Sequence, residues 1–333
     1  MAATTTTTSS SNILAKWLSG QVLGEITPLL AVENHVNYEQ LDGKPSKVAS
    51  IPKAAVLDAA TSVNEGADMS TITTLGYGTA VDITPAKIFV RADITMEEIE
   101  AVMPGVSRGA IVAQLNSDNY NGLFGLVESR AARMMEPIHR HREGAIFTAL
   151  ATATANSTDD NAAASFPKFL EALHKLNALK PRHRNYVFVG ETAQISHLRA
   201  AALSLSSGSS AVWNTQADAS FVNNLKDPQM NQMFVGSSLG VAFYEGDASL
   251  MPLTGTSDRN RVGFLFARGQ GSVLAPGAGF LRGPVSVVER GVPFFTVRWN
   301  DINQTIRVIL AYSYAAGLTT DEHVVKLITR AAY

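Results

Sequence analysis

The sequence predicts an α+β chain of about two domains, and three observations carry that reading. The closing segment alternates with the two-residue period of β-strands. One central segment holds an apolar stripe at the 3.6-residue period of a long helix. The region between them mixes helical and strand patterns. A length of 333 residues leaves room for two cores of ordinary size.

The elements follow in chain order. Residues 1–11 are almost all Thr and Ser, a composition that cannot form a core by itself and carries neither the basic nor the apolar part of a secretion signal. Asn12 can cap a helix from Ile13 to Leu30, with Ile13, Leu14, Trp17, Leu18 and Val22 at helical spacing. Only Lys16 and Glu25 are charged before residue 32, so this helix is expected to lie on another surface. Residues 37–80 hold Gly43, Pro45, Pro52, Gly66, Gly76 and Gly78 among small polar residues, with short strand-like pieces such as Lys47 to Ile51. A stretch of about 40 residues so poor in core pattern is expected to be an extended arm or disordered.

Val81 to Ile94 alternates like a strand. Thr95 and Glu98 form a capping box for a short helix ending near Met103-Pro104-Gly105. From Asp118 to Ala155, Leu123, Val127, Ala131, Met134, Ile138, Ala145 and Ala149 form one stripe, flanked by Phe124, Met135, Ile146 and Leu150. Such a helix would be roughly 55 Å long, with Pro137 expected to kink or split it. Asn156 to Ser165 reads as a linker. Beyond it, Pro167 to Leu179 and Glu191 to Leu205 read as helices and Tyr186 to Val189 as a buried strand. Ser206 to Gln232 is loop-like, and Val241 to Tyr244, Val262 to Ala267 and Val285 to Glu289 read as strands.

In the closing segment Phe295, Val297 and Trp299 alternate with Thr296 and Arg298, and Asn300, Asp301 and Asn303 supply a turn. Ile306, Val308, Leu310, Tyr312 and Tyr314 share one face of a second strand. Gly317 offers a further reversal before a third strand from Val324 to Ile328.

Composition narrows the function. The chain has no cysteine, which excludes disulfides, thiolate metal sites and cysteine nucleophiles, and it fits a reducing cytoplasm. A formal charge of −2 provides no overall field for nucleic acid. Charged residues make up 17%, below the usual level of about a quarter, which suits a surface used in assembly. No run approaches the length of a membrane span.

The candidate chemistry is sparse. Gly236-Ser237-Ser238-Leu239-Gly240 matches the G-x-S-x-G nucleophile elbow, and His323 follows in hydrolase order. That motif requires strand, turn and helix, whereas Val241 to Tyr244 is β-like, so a structural turn is the favoured reading. His139-Arg140-His141-Arg142 has the look of a metal or nucleic-acid box. Residues two apart on a helix point about 200° apart and cannot share a metal. Glu128, Glu136 and Glu143 stand against Arg130, Arg133, Arg140 and Arg142, four arginines to three glutamates, which reads as a solvated or intersubunit face. Lys180 to Arg184 is a small basic loop. Gly76-Tyr77-Gly78, Gly269-Gln270-Gly271 and Gly277-Ala278-Gly279 lack the third glycine and the strand–turn–helix setting of a dinucleotide site, and there is no P-loop, H-E-x-x-H or Ca²⁺ loop. No catalytic, cofactor-binding or metal-binding residue is assigned.

This order of uncharged arm, polar arm, long helix, α/β region and returning strands resembles the Hong Kong 97-type major capsid proteins of tailed bacteriophages. The resemblance implies an N-terminal arm (1–36), an extended loop (37–80), a peripheral domain with a spine helix (81–160 and 284–333) and an axial domain (161–283). It implies a structural protein without enzyme activity. Copies would assemble as pentamers and hexamers into an icosahedral shell around double-stranded DNA held by non-specific contacts. Scaffolding, portal and decoration proteins are the implied partners, and a virion assembled in the host cytoplasm the implied location, with no membrane. Met1 opens directly on the arm, so no long cleavable scaffolding segment is expected. Lys44, Lys47 and Lys53 lie in the extended loop, but nothing singles out one for cross-linking. An encapsulin-type compartment is the alternative within the fold, and a serine hydrolase using Ser238 the alternative outside it.

Overall fold

The computed structural model describes residues 32–42, 47–53, 78–158, 162–178, 186–205, 234–254, 260–267 and 283–330. The expected helix at 13–30, the loop at 206–232, most of the extended arm and the basic loop at 180–184 lie outside the described residues or nearly so.

Two sheets are joined by one helix. The first sheet is organised on β13 (Thr305–Leu318). On one side it pairs with β4 (Ala86–Thr95). On the other it pairs with β12 (Phe294–Asn300) and then, further along, with β11 (Val285–Glu289). A short β1 (Asn37–Gln40) adds in parallel to the free edge of β11. Ile306, Val308, Leu310, Tyr312 and Tyr314 are all buried, as their spacing requires, and the opposite face of β13 is more open.

The buried face meets three helices. Helix α1 (Met96–Val102) starts from the expected box, the Thr95 hydroxyl accepting from the Glu98 N–H and the Glu98 carboxylate accepting from the Thr95 N–H. Helix α2 (Arg108–Asn116) is capped by Ser107. Helix α3 (Phe124–Ala151) is the long one, about 42 Å at 1.5 Å per residue. It is shorter than the sequence suggests because residues 117–123 form a turn, with Asp118 at φ 58° and Gly122 at φ 84°. Pro137 does not split it. Met134 and Ile138 on either side are both buried against β13, so packing holds the turn that loses one backbone hydrogen bond.

The second sheet has the order β5 (Asn156–Thr158), β14 (Val324–Arg330), β10 (Asn260–Ala267), β6 (Tyr186–Gly190), β8 (Val241–Glu245) and β7 (Phe234–Ser238), with a two-residue β9 (Leu253–Thr254) beside β10. Both faces are covered. Phe188, Phe243 and Leu265 pack against α4 (Phe166–Ala178) and α5 (Thr192–Leu205), while Val187, Val189 and Phe264 pack against Ile146, Phe147 and Leu150 of α3. That is why these strands read as unbroken apolar runs rather than alternations. Gly190 is required by this packing, since a Cβ there would lie 2.6 Å from the Phe188 ring.

Four expectations are corrected. Residues 156–158 are a strand, parallel to β14, and only 159–161 of the supposed linker lies outside the described residues. Residues 324–328 do not close the first sheet but pair with β10 in the second. Gly317 makes no reversal. Strand β13 runs through it because a Cβ would lie 2.7 Å from Ile83 of β3 (Gly78–Ile83), and the chain turns instead at 319–323. Finally, Val81 to Ile94 is not one strand, since Thr84-Pro85 separates β3 from β4. Strand β3 pairs antiparallel with β2 (Ala49–Lys53), and Ile51 and Ile83 pack with Leu41 and Val288 in a small core at the foot of the extended arm.

Candidate functional site

The most unusual chemistry in the described chain lies on α3 between its two apolar ends. The His139 to Arg142 segment is only in part the solvated or intersubunit face that its charges suggest: Arg140 and His141 are exposed, but the others are not. Residues 139, 142 and 143 return to the helix's inner side, and all three side chains are buried.

Arg142 is the hub. One amino group (Nη1) donates to Glu289 Oε1 on β11 at 2.7 Å, and the other bridges to the carboxylate of Glu33. That second group also lies 3.2 Å from His139 Nδ1. The guanidinium lies 5.6 Å from the ring centre of Tyr38 on β1 and 6.0 Å from that of Tyr312 on β13, within cation–π range. Glu33 belongs to a 3-10 turn (Glu33–His35) and is only 3% exposed. Its second oxygen lies 3.3 Å from His139 Nδ1, and its backbone carbonyl accepts from the Tyr38 hydroxyl at 3.1 Å. The Val32 N–H reaches Glu143 Oε1 at 3.4 Å. A single guanidinium thus joins the turn, β1, β11 and β13 to the long helix.

The protonation states follow from burial. His139 Nδ1 faces both an arginine N–H, which can only donate, and a carboxylate oxygen of Glu33, which can only accept, so its role is set by the tautomer, while Nε2 is buried with no hydrogen-bond partner among the described residues. Burial pushes the His139 pKa down to about 4, opposed by the Glu289 charge. Tyr38 is raised well above its ordinary value, by burial first and then by Glu289 and Tyr312. Tyr312 is raised by burial, then by Glu289 as a charge and a hydrogen-bond partner. Two carboxylates, Glu33 and Glu289, therefore share one guanidinium among neutral phenols and a neutral imidazole. Breaking such a set is far more damaging than never having built it.

The other two residues of the segment face elsewhere. Arg140 Nη2 reaches Asp247 and Ser249 at 3.0 Å, tying α3 to the loop after β8. His141 Nδ1 lies 2.8 Å from the Tyr314 hydroxyl, which donates to the Ile138 carbonyl at 3.1 Å. The sequence showed the charges but not their burial, and Glu33 and Glu289 offered no signal. Their separation along the chain hides a cluster that only the packing of β1 and β11 creates.

The elbow motif has the wrong setting for a hydrolase. Ser238 ends β7, and Leu239 and Gly240, at φ 52° and 76°, form a tight hairpin turn into β8. The register runs Ser237 to Ala242, Val187, Phe266 and Val324, four interstrand steps. At 4.7–4.9 Å per step, Ser238 and His323 stand roughly 19 Å apart. Among the described residues no group of three His, Cys, Asp or Glu side chains is arranged to hold a metal, and no helix is long and apolar enough to cross a membrane. The glycine pairs at 269–271 and 277–279 lie outside the described residues.

No family model matches the sequence, and no curated protein matches it. Solved structures do. The chain is similar to one in the head of Helicobacter pylori bacteriophage KHP40, at 11% identity and a TM-score of 0.55, over 90% of this chain and 88% of that one. A chain of the capsid of cyanophage P-SCSP1u matches at 11% identity and a TM-score of 0.51, over 92% and 91%. A chain of the SrpI encapsulin complex from Synechococcus elongatus PCC 7942 matches at 10% identity and a TM-score of 0.52, over 91% and 88%. The likeness spans about nine-tenths of each chain. The chain has the Hong Kong 97-type capsid fold.

Proposed function

We propose that the chain is a structural shell protein, copies of which close into an icosahedral phage capsid of pentamers and hexamers around double-stranded DNA. The observation that carries this reading is the extent of the likeness to phage head chains, about nine-tenths of both partners. A borrowed domain would match over a part only. Composition agrees, since a sparsely charged chain with a core-poor arm of about 40 residues gains order only when neighbours supply contacts. The expected divisions stand in this proposal with two changes, that residues 156–158 and 324–330 group with the axial sheet. DNA contact would be local and non-specific, given a formal charge of −2. Scaffolding, portal and decoration proteins complete the proposed partners, and the virion is the proposed location. No enzyme activity is proposed.

A second reading rests on the encapsulin match, which is as strong as the phage ones. Electron microscopy of purified protein, with light scattering in the presence of any scaffolding partner, tests the shell. Closed particles are expected, and a monodisperse monomer or dimer under all conditions would refute it. Nuclease-protected DNA inside particles favours the phage capsid, and protein cargo alone favours the compartment.

A further inference from the structure

We propose that His139 is a proton-operated latch on the base of the N-terminal arm: charging it sets it against Arg142 and loosens the grip of α3 on residues 32–42. The inference does not depend on the shell reading. His139 Nδ1 lies 3.2 Å from Arg142 Nη2 and 3.3 Å from Glu33 Oε2. A second proton makes the ring a cation that can donate from both nitrogens. Two buried cations then face each other and compete for the one carboxylate that links the turn at 33–35 to the helix.

The groups that decide the outcome come from every packed element. Glu33 comes from the turn, Tyr38 from β1, Glu289 from β11 and Tyr312 from β13, while Arg142 and Glu143 come from α3 itself. The phenols remain neutral and supply no counter-charge. The segment held by the latch is also attached elsewhere: the Asn37 side chain exchanges two hydrogen bonds with Gly283, Asp42 accepts from the Gly291 N–H, and Leu41 packs with Ile51, Ile83 and Val288. Among the described residues, β1 is an edge strand of four residues paired with β11. Val32 and Val36 add buried contacts, and His35 stacks at 4.5 Å on Tyr244.

An open, hydrated His139 has a pKa near 6.5, against about 4 in the closed cluster. By linkage, the opening equilibrium shifts on the order of 20-fold between pH 7 and pH 5. Hydrogen exchange of the full-length protein, corrected for intrinsic pH dependence, measures this directly. Protection of residues 32–42 should fall by that order while β6 and β10 stay unchanged. His139→Asn keeps an acceptor, Oδ1, near the place of Nδ1 but cannot take a proton, so its protection should be the same at both pH values. His139→Gln serves if loss of protection in β6 and β10 at pH 7 shows that the asparagine variant does not fold. An undiminished pH response in a folded variant, or no response in the wild type, would overturn the latch.

Discussion

The two sheets solve the same problem in opposite ways. Among the described residues, the first covers one face with α1, α2 and α3 and leaves the other open along β4 and β12, where Phe89 is 68% exposed and Phe294 is 48% exposed, while β2 and β3 cover it at the β11 end. Phe89 and Phe294 lie in one row across the small Ala311 of β13. The second covers both faces, with α4 and α5 on one and the C-terminal turns of α3 on the other. Strand pattern follows coverage. One-sided burial writes alternation into β12 and β13, and two-sided burial writes solid runs such as Tyr-Val-Phe-Val at 186–189. The lesson extends to α3, whose first half is an apolar stripe on one sheet and whose last turns are an apolar stripe on the other. The charges are placed between, where neither sheet supplies a flat apolar surface.

The largest effect expected is at that junction. Arg142→Ala would leave Glu33 and Glu289 buried without their cation, a loss of about 3–5 kcal/mol that denaturant unfolding would read. A change below about 1 kcal/mol would mean that water or protonation already satisfies the cluster. The sidedness of the sheets gives the next test. Phe188→Ala in the second sheet should cost about 3–5 kcal/mol, whereas Phe89→Ala on the open face of the first should change subunit stability by no more than about 0.5 kcal/mol. Equal losses would show that the two sheets do not differ in coverage.

A pH series sharpens the contrast between the charged junction and the apolar ends. The folded chain holds the His139 pKa at about 4, below the unfolded value near 6.5. The stability is therefore complete above about pH 6.5 and falls as pH drops toward 4, by roughly 3 kcal/mol in all. Asp93 adds to the same trend at lower pH. Burial alone would raise it, but hydrogen bonds from Arg91 and Arg307 hold it below its ordinary value. Thermal melts of wild type and His139→Asn between pH 7 and 4.5 would separate the two, since only the wild type should carry the His139 component.

The smallest effect is expected at Ser238. Its hydroxyl is buried without a hydrogen-bond partner, so Ser238→Ala should be neutral or slightly stabilising. Fluorophosphonate labelling of the wild type should be absent. Stoichiometric labelling that vanishes in the variant would bring the hydrolase reading back.

Much of the fold was legible in residue spacing because periodicity reports which side of an element meets the core. The stripe of α3, the alternation of β13 and the Thr95–Glu98 box were all readable from neighbours in the chain. The likeness of the whole to the capsid fold followed from the order of these pieces. What could not be read were choices between partners. Residues 324–328 have a strand's composition in either sheet, and only their pairing with β10 decides between them. Gly317 has the same identity in a turn as in a strand, and only the approach of Ile83 shows why it is there.

By itself, then, the sequence determined the fold class, the long helix and the strand patterns, all properties of local spacing. The burial of His139, Arg142, Glu33 and Glu289 as one cluster was decided by tertiary structure alone. A charged side chain reads as solvated until an opposite charge is brought to it. Here the opposite charges come from residues more than a hundred positions away.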